Sequence, residues 1–402
     1  MTTTDAPGTI YWDPYDMEID ADPHPVWKRM RDEQPVYRNE RYDFWALSRH
    51  DDIAAVHRDH ATFTSSRGTV LELMGTDLGD RGSIIFKDPP IHTILRSLVS
   101  RAFTPRRMAA MEDTVRGICV DLLDPFVGRA GFDYVQEFGA QLSSRVICAL
   151  LGVPEEEREE KRAIIDQTMH LEPGIGMIND ISLVAQAQMW EYIDSLAVER
   201  EADPHDDLIS VVSHAEITDD EGERRKLTRT EVVDFGSVLL GAGFETVVRL
   251  VGNAGVLLAE HPDQRAFLAA NPDAIPNAVE EMLRYEAPSP VQGRMTTRDV
   301  MLHDVMIPRD AKVLMLTGSA GRDDRVFRDP DRFDVRRDVG QHITFGFGIH
   351  FCLGAALARL EGRVALEETL KRWPEWELDP EHTERAFTST VRGYKHVGLV
   401  LS

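Results

Sequence analysis

The sequence predicts a mainly α-helical protein with β-structure confined to small peripheral segments, and three observations carry that prediction. Apolar residues recur every three or four positions from about Pro105 to Arg200, with polar breaks at Gly128 to Gly131 and Pro154 to Glu160. A capping-box pattern, Thr228-Arg229-Thr230-Glu231, opens an apolar run that reaches about Glu260, where Pro262 stops it. A third run, rich in Ala, Leu, Glu and Arg, extends from Ala355 to about Arg372. Strand-like composition is limited to regions near residues 35–50, 290–318 and 376–402.

Taken in order, the chain to about His60 reads as irregular chain, a helix near His24 to Asp32, and then a hairpin. In the hairpin, Val36-Tyr37-Arg38 and Phe44-Trp45-Ala46-Leu47 flank a turn-rich Asn39 to Asp43. Thr64 to Arg81 mixes Ser, Gly and Asp with Val70, Leu71, Leu73 and Met74, so it reads as a loop with apolar residues pointing inward; loops of that length are either binding loops or plain surface. A helix begins near Pro90, where a missing N–H costs nothing, and puts His92 and Arg96 on one face. That pair is either a solvated face or two donors for carboxylates, with Arg supplying a bidentate fork. Glu172-Pro173-Gly174-Ile175-Gly176 marks a turn between helices, and 202–207 and 218–226 read as solvated loops.

The helix opened at Thr228 holds roughly 32 residues and spans about 48 Å, enough to cross a globular domain. Asp234, Glu245 and Arg249 interrupt its apolar run, which argues against a membrane span. Its centre, Gly241-Ala242-Gly243-Phe244-Glu245-Thr246, contains two glycines, each costing about 1 kcal/mol in a helix interior. Either close helix packing or room for a flat cofactor and a bound diatomic molecule would account for them. Further on, Glu281 and Arg284 share a helix face, and strand-like segments follow near Val300 to Ile307 and Lys312 to Leu316.

Composition sets limits on function. The 402 residues, 42% of them hydrophobic, can bury a large core in one to three domains. A formal charge of -24 argues against non-specific binding to nucleic acid or an anionic membrane. The three cysteines, Cys119, Cys148 and Cys352, are far apart, which suits a reducing compartment without disulfides or a clustered zinc site. The N-terminal residues lack the basic start and apolar run of a signal peptide, so a cytoplasmic location is expected.

Cys352 lies in Phe345-Gly346-Phe347-Gly348-Ile349-His350-Phe351-Cys352-Leu353-Gly354, at the junction of a glycine-containing loop and the helix that starts at Ala355. Unpaired N–H groups and the helix dipole favour a thiolate there. Such a cysteine is either a small buried hydrophobe or a soft axial ligand for haem iron. The string resembles the haem-binding loop of the cytochrome P-450 family at each defining position, including Phe345, Gly346, His350, Cys352 and Gly354. Three weaker motifs follow in the family's order. Ala242, Gly243, Glu245 and Thr246 resemble its oxygen-activation segment. Glu281 and Arg284 resemble its Glu-x-x-Arg helix, and Arg332 in Pro330-Asp331-Arg332-Phe333 resembles the arginine that completes a charged lock.

The resemblance spans about Asp22 to Val397. It implies a single domain over residues 1–402, with haem b sandwiched between the long helix and the Cys352 loop. By the same resemblance His92, Arg96 and Arg294 hold the haem propionates, Thr246 donates a hydroxyl at the oxygen site, and Glu245 helps to relay protons. The implied activity is monooxygenation of a small apolar organic molecule by O2, giving hydroxylation or epoxidation. Electrons would come from a separate ferredoxin or flavodoxin and its NAD(P)H-dependent reductase, docking on a face that Arg101, Arg106, Arg107, Arg359, Arg363 and Arg372 could supply. Pocket candidates are Val70, Leu71, Met74, Leu239, Ala242, Val291, Gln292, Thr390 and Val391. A peroxide-driven haem enzyme and a non-catalytic haem-thiolate gas sensor or ligand carrier are the rival readings. Asp310, where the family commonly has Gly, and Gly321, where it commonly has Asn, depart from the pattern.

Overall fold

The helix predicted from the capping box runs Arg229–Glu260, and its Thr228 hydroxyl and Glu231 side chain close the box reciprocally. The computed structural model describes residues 8–76, 83–100, 103–168, 172, 176, 178–219 and 222–401; Arg101 and the end of the Thr64 to Arg81 loop lie outside them. This helix is the one described helix long and apolar enough to cross a membrane, but 72% of its most apolar window is buried in the protein. Around it pack the helices Ala140–Leu151, Arg158–Thr168, Asp180–Ala202, Ile275–Tyr285 and Ala355–Arg372. A π-helical turn at Tyr134–Gly139 and the hairpin Trp376–Phe387 with Arg392–Leu401 complete that shell.

The β-structure is peripheral, as the composition implies. Val36–Asn39 and Phe44–Leu47 pair antiparallel, Lys312–Leu316 adds parallel to the second strand, and Val291–Thr296 and Phe63–Thr64 follow. Alternation divides the sheet's two faces between two small cores. Leu314 and Leu316 join Trp12, Trp27 and Phe44 on one face, while Val313 and Met315 join Val36, Leu47 and Ile53 on the other. The register sets Val313 opposite Arg294, which fixes Arg294 on the strand beside the sheet's central one.

The two glycines at the middle of the long helix answer to different causes. A Cβ on Gly243 would lie 2.9 Å from Ile147 Cδ1 of the helix Ala140–Leu151, so this glycine permits close helix packing. A Cβ on Gly241 would meet nothing within 4 Å. Asp310, in turn, has φ +63°, so the family's preference for glycine there reflects a left-handed turn that Asp tolerates. Gly321 has an ordinary φ, but an added Cβ would lie 2.2 Å from the Arg284 carbonyl oxygen.

The charged lock forms with one change of membership. Glu281 and Arg284 are both fully buried and make a bidentate pair at 2.7 and 2.8 Å. Arg284 also donates to the carbonyls of Gly321 at 2.6 Å and Pro330 at 2.9 Å. Arg332 does not enter: its side chain is 74% exposed and it offers only its backbone carbonyl to Arg284 and Arg337. Arg337 takes the predicted place, donating Nε to Glu281 Oε1 at 3.1 Å. Arg337→Ala should therefore cost about 2–3 kcal/mol in urea unfolding by stripping a buried carboxylate of a partner, and Arg332→Ala should stay within about 0.5 kcal/mol of wild type.

Candidate active site

Cys352 sits just before the helix Ala355–Arg372, its N–H donating to the Phe345 carbonyl at 2.8 Å to close the loop. Gly346 and Gly348 have φ of +72° and +70°, which turns the loop tightly enough to seat it against the helix His50–Arg58. A Cβ on Gly348 would lie 2.5 Å from the His57 carbonyl oxygen. Burial pushes the Cys352 thiol up, while the amides of Gly354 and Ala355 and the charges of Arg96 and Arg359 pull it down. The net rise corrects the expectation from the helix terminus alone: burial outweighs it, and a bound metal cation would be what deprotonates the sulfur outright.

Beside this loop converge the predicted donors and one more. His92 is 2% exposed and His57 is 5% exposed, and neither ring nitrogen of either has a hydrogen-bond partner among the described residues. His350 lies between them in its electrostatic surroundings, with its ring 4.3 Å from His92 and its Nε2 3.1 Å from Ser65 Oγ. Arg294 is buried and donates to the adjacent Gly293 carbonyl at 2.6 Å, and Arg96 donates to the Phe351 carbonyl at 2.6 Å. Burial and the neighbouring Arg294 hold His57 down to about 3 and His350 to about 2. Burial and Arg96 hold His92 down to about 4, and burial lowers Arg294 to about 10. Asp88, whose charge reaches Arg294 and His92, has its oxygens engaged by the Thr64 hydroxyl and the amides of Ser65 and Ser66.

Buried imidazoles without partners beside desolvated guanidiniums are the surroundings in which a dianion is stabilised. Haem presents two carboxylates together with an iron that accepts a thiolate, so the residues present fit it.

On the long helix, burial breaks at the predicted segment: Ala242 is exposed and Thr246 half-buried, although the residues on either side are mostly buried. The Thr246 hydroxyl donates to the Ala242 carbonyl at 3.0 Å. Glu245 is buried and ion-paired with Arg249 one turn along, and Arg249 also donates to the Tyr394 carbonyl at 2.5 Å. The half-exposed Asp166 faces this pair, and burial, with the charge of Glu245, raises its carboxyl to about 6 against the opposing pull of Arg162. Two residues beside these candidates, His57 and Arg249, were not singled out for the site from the sequence. Both were accessible to spacing, since His57 follows Ile53 by four on a buried helix face and Arg249 follows Glu245 by four.

The pocket candidates divide. Leu71 and Met74 are packed into the sheet core with Trp12, Trp27 and Phe44, and Met74 and Thr69 press against Gly293. Val70, Leu239, Val291, Gln292 and Thr390 are half-buried, and Val391 is buried. The docking arginines are largely neutralised: Arg107 pairs with Asp206, Arg359 with Glu280, Arg363 with Glu112 and Glu367, and Arg372 with Asp124 and Glu368.

Glu280 fastens the site from behind, accepting from Arg359 at 2.6 and 2.9 Å and lying 3.0 Å from His342 Nε2. Burial would raise its carboxyl, but these partners bring it down to about 2. A depressed carboxylate stabilises the fold above its ordinary pKa near 4.5, and that contribution is lost as the pH falls from there toward 2. Glu280→Gln should cost about 2 kcal/mol at pH 7, a difference that shrinks over this window in urea unfolding measured against pH.

Comparison with known proteins agrees with this geometry. The family model described as Cytochrome P450 matches residues 35–396. Cytochrome P450 130 of Mycobacterium tuberculosis is 38% identical, with 89% of each chain covered. Vitamin D(3) 25-hydroxylase of Pseudonocardia autotrophica is 37% identical, covering 100% of this chain and 98% of its own. Among solved structures, a cytochrome P450 from Chondromyces apiculatus superposes with a TM-score of 0.88 at 34% identity, covering 97% and 98% of the two chains. A mutant of P450 EryK in complex with erythromycin B gives 0.87 at 34% identity, covering 95% and 96%. A helical core around one long helix, small peripheral sheets, a cysteine loop and full-length similarity to hydroxylases identify the chain as a monooxygenase belonging to the cytochrome P450 family.

Proposed function

We propose that this chain uses haem b, ligated by Cys352, to insert one atom of O2 into a small, mostly apolar organic molecule by hydroxylation or epoxidation. Electrons would arrive from a separate ferredoxin or flavodoxin and its NAD(P)H-dependent reductase, in the cytoplasm. The observation that carries the reading is the convergence of buried His57, His92 and Arg294 with half-buried His350 and Arg96 beside the cysteine loop, an anion-demanding site next to a soft ligand.

Bound there, haem supplies the redox chemistry of oxygen activation, with thiolate donation favouring O–O cleavage. The chain's own residues do the rest. Cys352 is the ligand, and the amides of Gly354 and Ala355 with the charges of Arg96 and Arg359 stabilise its negative charge. His92, Arg96, Arg294 and His350 hold the carboxylates, and Phe345, Gly346 and Gly354 shape the loop. Thr246 Oγ1 can turn from the Ala242 carbonyl to donate into the cleft. Glu245, held by Arg249, moves protons inward from solvent through its carboxylate oxygens. Val70, Leu239, Ala242, Val291, Gln292, Thr390 and Val391 form the substrate surface, with Leu71 and Met74 supporting it from behind. Gln292 and Thr390 are the polar members of that surface, which suits a molecule with few polar anchors.

A redox partner would meet arginines already paired with carboxylates, so the approach surface is mixed in charge rather than basic. Docking is therefore expected to show only modest weakening with salt.

The reduced carbon monoxide complex should show the long-wavelength Soret band of thiolate ligation, and Cys352→Ser should lose it; a wild-type spectrum without the band would refute the assignment. With a substrate found by its low-to-high spin shift, Thr246→Ala should divert electrons to peroxide and lower product per NAD(P)H consumed severalfold. Unchanged coupling in that variant would exclude Thr246 from proton delivery.

A further inference from the structure

His57 comes from an element that the motif comparison never involved, the helix His50–Arg58, and it is buried there at a cost. Its ring is 5% exposed, and both nitrogens lack a hydrogen-bond partner among the described residues, which is unfavourable for a buried polar group. The ring faces the cysteine loop, with Cε1 3.6 Å from where a Cβ on Gly346 would stand, and Gln292 Oε1 lies 3.9 Å from the same point. Arg294 is the charged group that acts on it. Arg294 itself is buried, and the charge of Asp88 opposes the effect of that burial. Among the neighbouring charges, His92 is acted on chiefly by Arg96. Arg96 acts on His92 and His350 but not on His57, whereas Arg294 acts on all three imidazoles, so His57 groups with Arg294.

Resting on the haem reading above, we infer that His57 is a cofactor-positioning residue that donates, together with Arg294, to one of the two haem carboxylates. The positive-φ turn at Gly348 serves this arrangement, because a side chain there would press on the His57 backbone, while the turn at Gly346 leaves the His57 ring at ordinary contact distance from the loop. The second carboxylate falls to His92 and Arg96. A purely structural histidine would instead be expected to have a partner for at least one ring nitrogen.

The test is the rate of haem transfer from the intact holoenzyme to apomyoglobin. His57→Leu should speed transfer about tenfold, as expected for the loss of one charge-assisted hydrogen bond. His57→Gln, which keeps a donor, should stay near the wild-type rate. Combined with Arg294→Gln the effect should be non-multiplicative, because the two share one carboxylate, whereas combined with Arg96→Gln it should be multiplicative. Equal rates for His57→Leu and wild type, or equal acceleration by Leu and Gln with multiplicative effects in both combinations, would overturn the assignment. Failure of the haem reading itself is seen separately, as absence of the thiolate Soret band in the wild-type protein.

Discussion

Two adjacent carboxylates on the helix Ile275–Tyr285 hold the proximal side of this protein together, and they point to different tasks. Glu281 is fully buried with Arg284 and Arg337 and anchors the irregular chain that follows the sheet. Glu280 reaches the other way, to His342 and Arg359, and so ties the approach to the cysteine loop to the helix that follows it. The Thr344 hydroxyl adds a bond to the Leu283 carbonyl at 2.8 Å on the same helix. Charges buried in this way contribute little net stability compared with well-packed apolar groups, yet removing one partner is costly. Their effect here is positional: a loop without regular hydrogen bonding acquires a defined place relative to the core.

With the loop so placed, the rest of the site depends on what glycine permits. Gly346 and Gly348 bring the loop against the helix His50–Arg58, Gly243 brings two long helices into contact, and Gly241 leaves open space where Ala242 is exposed. Close approach on one side and openness on the other are both consequences of an absent Cβ. The balance explains how a helix with a largely buried centre can still leave Ala242 exposed and Thr246 half-buried.

Most of the architecture was legible because it rests on period and punctuation. The capping box at Thr228, the prolines before Ile91 and the alternating strands of the sheet each specify local structure from neighbouring residues. The candidate site was proposed from the sequence where a motif fixes the backbone, as at Cys352, His350 and Thr246. What failed depends on long-range paths. Arg332 was assigned to the lock from the string Pro330-Asp331-Arg332-Phe333, but only the turn geometry between Asp329 and Arg337 decides which guanidinium reaches Glu281. Leu71 and Met74 were read as inward-facing, which is correct, but the sequence holds nothing to distinguish the sheet core from the cleft. The docking arginines looked available because their carboxylate partners are mostly remote in sequence, as with Arg372 and Asp124.

The ion pair of Glu245 with Arg249 has a reach beyond the long helix. Arg249 also holds the Tyr394 carbonyl, and a Cβ on the neighbouring Gly393 would lie 2.9 Å from Arg249 Cβ. The C-terminal hairpin and the acid on the central helix are thus joined through one side chain. Under the proposed relay role of Glu245, sequence drift around Gly393 and Tyr394 would retune the supply of protons through residues other than Thr390 and Val391, so two members of a lineage would diverge in turnover with their pocket residues unchanged.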